Sequence, residues 1–366
     1  MIKKVLAVVF FIFILVKPLI LKGQDSSLID LSSVDKFFEM TSKISLHKEL
    51  SEDDWDELFK TSGYHISATS QIRKNIIRET FILAFSNDQQ FKRDSLLNIS
   101  TENMQNSVAL LTKLTLINFL DIKKHEKALK AFRKTYDFDA IKERSINKLK
   151  SFLIQPVDSF IVFPSINLLC YESDAQSKDN GIVWDFNLFY KQTDEERVNM
   201  LAHEMFHAYR AHFVNKSYIN SSYLLQQIDK LQDEGIADLI DKPENIVESI
   251  RGKGFPQNLI DLYASTYENT PQILDNLDVI VYSFIRREIS GEEFKTKMKD
   301  FFLFGAHPNG YYMSKLIRKA GLMDEMLKTF FSPVEFLKLY NKAAYKENTY
   351  IFSDEFINFV EKLRKS

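Results

Sequence analysis

Cysteine is almost absent. Cys170 is the only one in 366 residues, which excludes an intramolecular disulfide framework and every CxxC metal or redox site. A zinc ion in such a chain has to be held by histidine and carboxylate. Glycine and proline are scarce too: ten and eight residues, about 5 % together where roughly 12 % is usual. That argues against turn-dense all-β folds, collagen-like sequence and Gly-rich linkers, and helices should dominate. An excess of one charge is also missing, with 48 Lys and Arg against 50 Asp and Glu. The composition is that of an ordinary globular protein, with no basic excess to suggest nucleic acid or an anionic membrane surface as a partner.

The longest apolar run, Val5–Val16, has twelve residues, too few for the ~20 of a spanning helix. It follows Lys3 and Lys4 and leads to Lys17, Pro18 and the small residue Gly23. This is the grammar of a signal peptide over residues 1–23, with a mature chain starting near Gln24 in the periplasm or outside the cell. No cysteine near the junction offers a lipid anchor, and no membrane span is expected once the signal is removed. An uncleaved N-terminal anchor is the lesser reading.

The length allows about two domains. From Asp35 to about Lys150, apolar residues recur at helical spacing, as in Ile72, Ile76, Ile77 and Phe81, which predicts a helical N-terminal region over 24–150. Between Ser159 and Tyr190 the character changes. Ser159–Phe163 and Ile182–Leu188 are β-branched and aromatic runs joined by the turn-rich segment 177–181, which predicts a small antiparallel sheet. The fold class expected is mainly α with that sheet, α+β. Thr193 followed by Glu196 has the capping-box pattern, so a helix should run from Asp194 to about Phe213. Further helix starts are expected near Ser222, at Thr270-Pro271, at Ser290 with Glu293, and at Ser332-Pro333 with Glu335.

Inside the helix from Asp194 stands His203-Glu204-Met205-Phe206-His207. Four residues advance a helix by about 400°, so the two imidazoles lie within about 40° of each other, one turn apart, and can share one ion. Glu204 is placed to act on a water at that ion as a general base. A catalytic zinc site needs a third protein donor and an open position. His212 falls on the wrong side of the helix. The alternative is Gln232-Asp233-Glu234-Gly235-Ile236-Ala237-Asp238, where Glu234 and Asp238 share a face. Glu234 could bind the metal while Asp238 accepts the outer N–H of one of the histidines. Gly235 and Ala237 would let this helix approach the first closely.

In these residues the sequence resembles the gluzincin metallopeptidases, which pair HExxH with an ExxxD or ExxA segment on a following helix. A third match is Phe304-Gly305-Ala306-His307-Pro308-Asn309-Gly310-Tyr311-Tyr312-Met313. Taken with the signal peptide, HExxH and DEGIAD, it resembles uncharacterised bacterial zinc-dependent peptidases over about residues 155–325. The resemblance implies a zincin-like core within 151–366, embedded in a helical array. It implies one Zn²⁺ on His203, His207 and Glu234, with Glu204 as base. It also implies an oxyanion-stabilising role for His307, Tyr311 or Tyr312, and a peptide or protein substrate laid along the strand from Gly181 to Leu188. Oligomeric state and specificity are not legible. The rival reading is a non-catalytic cell-envelope binding protein with a structural or vestigial zinc site, and hydrolysis of a non-peptide amide is a second enzymatic alternative. Trp184 and Cys170 read as core.

Overall fold

The computed structural model describes residues 29–99, 108–154, 163–171, 173–178, 181–242, 244–251, 257–299 and 301–363. The expected export signal, and the expected strand over Ser159–Phe163 apart from Phe163 itself, lie outside these residues. The chain is mainly helical with one small sheet. No helix among the described residues is long and apolar enough to cross a membrane.

The sheet is mixed rather than antiparallel. Its strands are β1 (Ile29–Asp30), β2 (Ile166–Leu169), β3 (Ala175–Lys178) and β4 (Gly181–Asp185), in the order β1-β2-β4-β3. β1 and β4 both run parallel to β2, with Ile29 and Ile182 each opposite Ile166. Only the β3–β4 hairpin is antiparallel. β4 is interior and buried at every position, as a run of Ile182, Val183 and Trp184 flanked by strands on both sides should be. β3 is the polar edge strand and takes up Ser177 and Lys178, which the sequence pattern assigned to a turn.

The strand expected to reach Leu188 stops at Asp185. The Asp185 carboxylate accepts from the Leu188 backbone N–H at 2.8 Å and starts a helix over Phe186–Lys191. An N-terminal cap of this kind outweighs the β propensity of the aromatic residues that follow. The same buried side chain accepts from Asn118 Nδ2 and from the Tyr171 backbone N–H, tying a long N-terminal helix (Val108–Thr135) to the sheet.

Other expected starts are present: helices over Thr270–Ile285 and Gly291–Met298, the latter with Ser290 capping Glu293. The helix Pro333–Glu347 also begins where expected, but Ser332 makes no side-chain cap and Glu335 pairs instead with Lys338. One hydrophobic core runs from Phe37 and Phe81 through Trp184 and Cys170 to Phe356 and Val360.

Three helices set the geometry of the C-terminal half. The HExxH helix, Asp194–Ala211, opens with a complete capping box of Thr193 and Glu196. One side of it packs on the helix Asp139–Leu149. The other meets an acidic helix, Tyr223–Asp241, capped by Ser222. The acidic helix packs in turn on a third, His307–Lys319. There a Cβ at Gly235 would sit 2.3 Å from the Gly310 carbonyl oxygen, and one at Gly310 only 2.5 Å from that of Leu231. The two backbones touch because neither position carries a side chain.

Candidate metal centre

His203 and Glu204 are buried against the acidic helix. The Nε2 atoms of His203 and His207 face each other at 3.0 Å. Each ring is oriented from behind by a separate carboxylate: His203 Nδ1 lies 2.8 Å from Asp241 Oδ1, and His207 Nδ1 lies 2.9 Å from Asp233 Oδ1. A carboxylate at Nδ1 accepts a hydrogen bond from Nδ1–H, which holds the ring proton there and turns Nε2 forward as the donor atom for a metal.

Glu234 Oε2 stands 3.3 Å from His207 Nε2 and 3.7 Å from His203 Nε2, and is buried without a hydrogen-bond partner. Donors held 2.0–2.1 Å from a tetrahedral ion lie roughly 3.3 Å apart, and these three separations bracket that value. Two nitrogens and a carboxylate oxygen converging this closely call for a cation among them, a proton or a metal ion in its place. The residues therefore fit a zinc ion.

Charge and burial compete throughout the centre. Burial drives Glu234 upward, but His307, His207 and His203 outweigh it and hold the carboxyl below its usual range. Burial likewise pulls His207 down, while Asp233 and Glu234 lift it well above an ordinary imidazole. Glu204 moves the other way. Burial raises its carboxyl above the usual range against the pull of the two histidines, and its Oε2 is buried with no hydrogen-bond partner.

Asp238 does not take the position its spacing predicts. It is 3.6 Å from His203 Nδ1, farther than Asp241, and its two oxygens lie 3.0 and 3.1 Å from His307 Nδ1. His307 in turn comes within 3.3 Å of Glu234 Oε2. Burial lowers its pKa, but Glu234 and Asp238 push it up to about 9. His307 opens its helix directly after Phe304, Gly305 and Ala306, all left-handed with φ of 53°, 66° and 78°. For Phe304 and Ala306 this conformation costs roughly 1–2 kcal/mol each. Strain of this kind concentrates at functional sites.

Tyr311 and Tyr312 lie away from the centre. Tyr311 is buried about 6 Å from the ring of Tyr267, and the Tyr312 hydroxyl is 3.3 Å from Thr349 Oγ1. The tyrosine that does line the cleft is Tyr263, its ring 5.1 Å from that of Phe304. Sequence reasoning missed it, as it missed Asp233, Asp241 and Lys242 as partners of the site. Asp241 had a usable signal: seven residues after Glu234 is about two helical turns, again on the same face.

The donors open into a cleft of about 1240 Å³. Residues of β3 form one wall, and Leu259, Tyr263 and Phe304 contribute to the other. The strand along the cleft is thus the edge strand β3, and the expected Gly181–Leu188 segment lies behind it. His212 reaches the cleft rim at the end of the HExxH helix.

Searches of curated proteins and of solved structures give no match. Residues 55–349, most of the chain, match the model of the family described as "Putative zinc dependent peptidase (DUF5700)", and the chain belongs to that family.

Proposed function

We propose that the chain is a zinc-dependent peptidase of the gluzincin kind, exported from the cell, that hydrolyses peptide bonds in an extended substrate. The observation that carries this reading is the convergence of His203 Nε2, His207 Nε2 and Glu234 Oε2 at 3.0–3.7 Å beside a buried carboxylate, Glu204, on the wall of an open cleft. His203, His207 and Glu234 would hold the ion. Zinc bound there supplies a lowered water pKa and a polarising charge for the scissile carbonyl.

The rest of the chemistry belongs to the chain. Glu204 takes a proton from the attacking water and returns it to the leaving amine. A carboxyl raised by burial is suited to both transfers, because its affinity for the proton is closer to neutrality than that of an exposed glutamate. His307, held through Nδ1 by Asp238, presents Nε2–H to the oxyanion that develops on the substrate carbonyl. β3 is the edge strand of the sheet on the cleft wall, and an extended peptide adds alongside it as a further strand.

The test is Glu204→Gln beside His203→Ala. The first should keep about one equivalent of zinc and lose roughly 10²–10⁴-fold in hydrolysis of a mixed peptide library. The second should lose the zinc. Wild-type turnover by the Gln variant would overturn the assignment of the base.

A further inference from the structure

Two imidazole–carboxylate pairs meet at one ammonium. Lys242 is the first residue beyond the acidic helix. Its backbone N–H closes the last turn on the Asp238 carbonyl at 2.9 Å, and its side chain folds back into the cleft wall with 9 % of its surface exposed. The Nζ atom lies 2.6 Å from Asp241 Oδ2 and 3.5 Å from Asp238 Oδ1. Asp241 turns its other oxygen to His203 Nδ1, and Asp238 faces His307 Nδ1. The two rings lie nearly parallel, with centroids 5.9 Å apart.

We infer that Lys242 is a positioning residue of the metal centre. It bridges the carboxylate that orients His203 and the carboxylate that holds His307, and so fixes both rings relative to Glu234. The inference rests on the reading of this site as a zinc centre.

The argument is electrostatic and geometric. Asp238 is fully buried and Asp241 nearly so, and they stand three residues apart on one helix, so their side chains are neighbours. Asp233 and Glu234 add two more carboxylates on the same helix, and Glu204 a third from the HExxH helix. Arg210 meets a different set of carboxylates, with Nη1 3.6 Å from Asp233 and Nη2 2.6 Å from Asp229. Lys242 is the cation that reaches both members of the Asp238–Asp241 pair, while His307 faces only Asp238 closely and His203 is hydrogen-bonded to Asp241. Without its charge the two carboxylates repel. Asp241, tied down by Lys242 at one oxygen and by His203 at the other, is then free to swing out. The ring loses the partner that keeps its Nε2 lone pair forward. A lysine placed just past a helix C-terminus also sits where the helix dipole favours a cation.

The test compares the full-length wild type with Lys242→Met, Asp241→Asn and the double variant. Zinc affinity is measured by competition with a chromophoric chelator in the absence of substrate. Thermal unfolding of the metal-free chains is followed in parallel as the control for folding. Lys242→Met should lose about 10–100-fold in zinc affinity, the range typical of partners that act behind a metal-binding side chain. Because both residues act through one link, the double variant should lose little more than the worse single. In proton NMR of the metal-free chain, the downfield Nδ1–H resonance of His203 should weaken or vanish in Lys242→Met, a change that loss of bulk stability alone does not produce. If the Met variant does not fold, Lys242→Gln, which keeps hydrogen bonding without charge, reads the same quantities. Wild-type affinity in a folded, uncharged variant would overturn the inference, as would fully additive losses. A wild-type chain that binds no zinc would instead overturn the zinc reading beneath it.

Discussion

His203 Nε2 and His207 Nε2 oppose each other across 3.0 Å while their Nδ1 atoms are held from behind by two different carboxylates, Asp241 and Asp233. The paired lone pairs are thus a property of two helices and not of the HExxH segment alone. An isolated HExxH helix would present the rings at the same spacing without fixing which nitrogen carries the proton.

Asp233→Ala should lower zinc affinity about 10–100-fold through His207, even though Asp233 is 2.9 Å from Nδ1 and does not face the ion's position. Chelator competition measures this directly. An unchanged affinity would show that His207 holds its tautomer without help.

Gly235→Ala should destabilise the fold by about 1–3 kcal/mol in urea unfolding. The gain in helix propensity is about 1 kcal/mol, but the new methyl meets the Gly310 carbonyl at 2.3 Å, and backbone cannot rotate away. Gly291→Ala is the matched control: it starts a helix and has nothing within 4 Å. It should be neutral or stabilising, by up to about 1 kcal/mol.

Far from the centre, Asp54 caps the helix Glu52–Lys60 with Ser51 and pairs with Lys43. The Lys43 ammonium lowers its carboxyl to about 2. A depressed carboxylate stabilises the fold above its unfolded pKa near 3.8 and loses that contribution as pH falls through the folded value. Asp54→Asn should therefore cost on the order of 1 kcal/mol at pH 7, allowing for solvent screening at the half-open Lys43. The gap between variant and wild type should close as pH falls from 4 to 2. Urea unfolding at pH 7, 4 and 2.5 gives the comparison, and a gap independent of pH would rule out this pair as its source.

What was legible in the sequence was local. The capping box at Thr193, the 3.6-residue recurrence and the HExxH spacing are all properties of one helix, and the structure has that helix at Asp194–Ala211. Glu234 was legible for the same reason, as part of a second amphipathic pattern. Which carboxylate meets His203 was not. Asp238 and Asp241 differ by about 60° around the acidic helix and 4.5 Å along it, so the choice depends on how the two helices cross, and no single helix encodes that. The sheet escaped for a related reason. The pairing of Ile29 and Ile182 with Ile166 joins distant segments, and the alternation within each strand is silent about parallel or antiparallel partners. Tyr311 and Tyr263 illustrate the same limit: the resemblance placed a tyrosine of the segment after His307 at the site, but Tyr311 points to Tyr267, and the tyrosine lining the cleft is Tyr263, from the helix Gln257–Glu268.

The contact between Gly235 and Gly310 governs how the cleft can open. With no side chain between them, the segments bearing Glu234 and His307 have nothing to slide or pivot on, and behave as one jaw. Adjustment to a bound polypeptide then falls to the opposite wall, where β3 is hydrogen-bonded to the sheet along one side only, and any shift there is felt by the HExxH helix on which β3 packs.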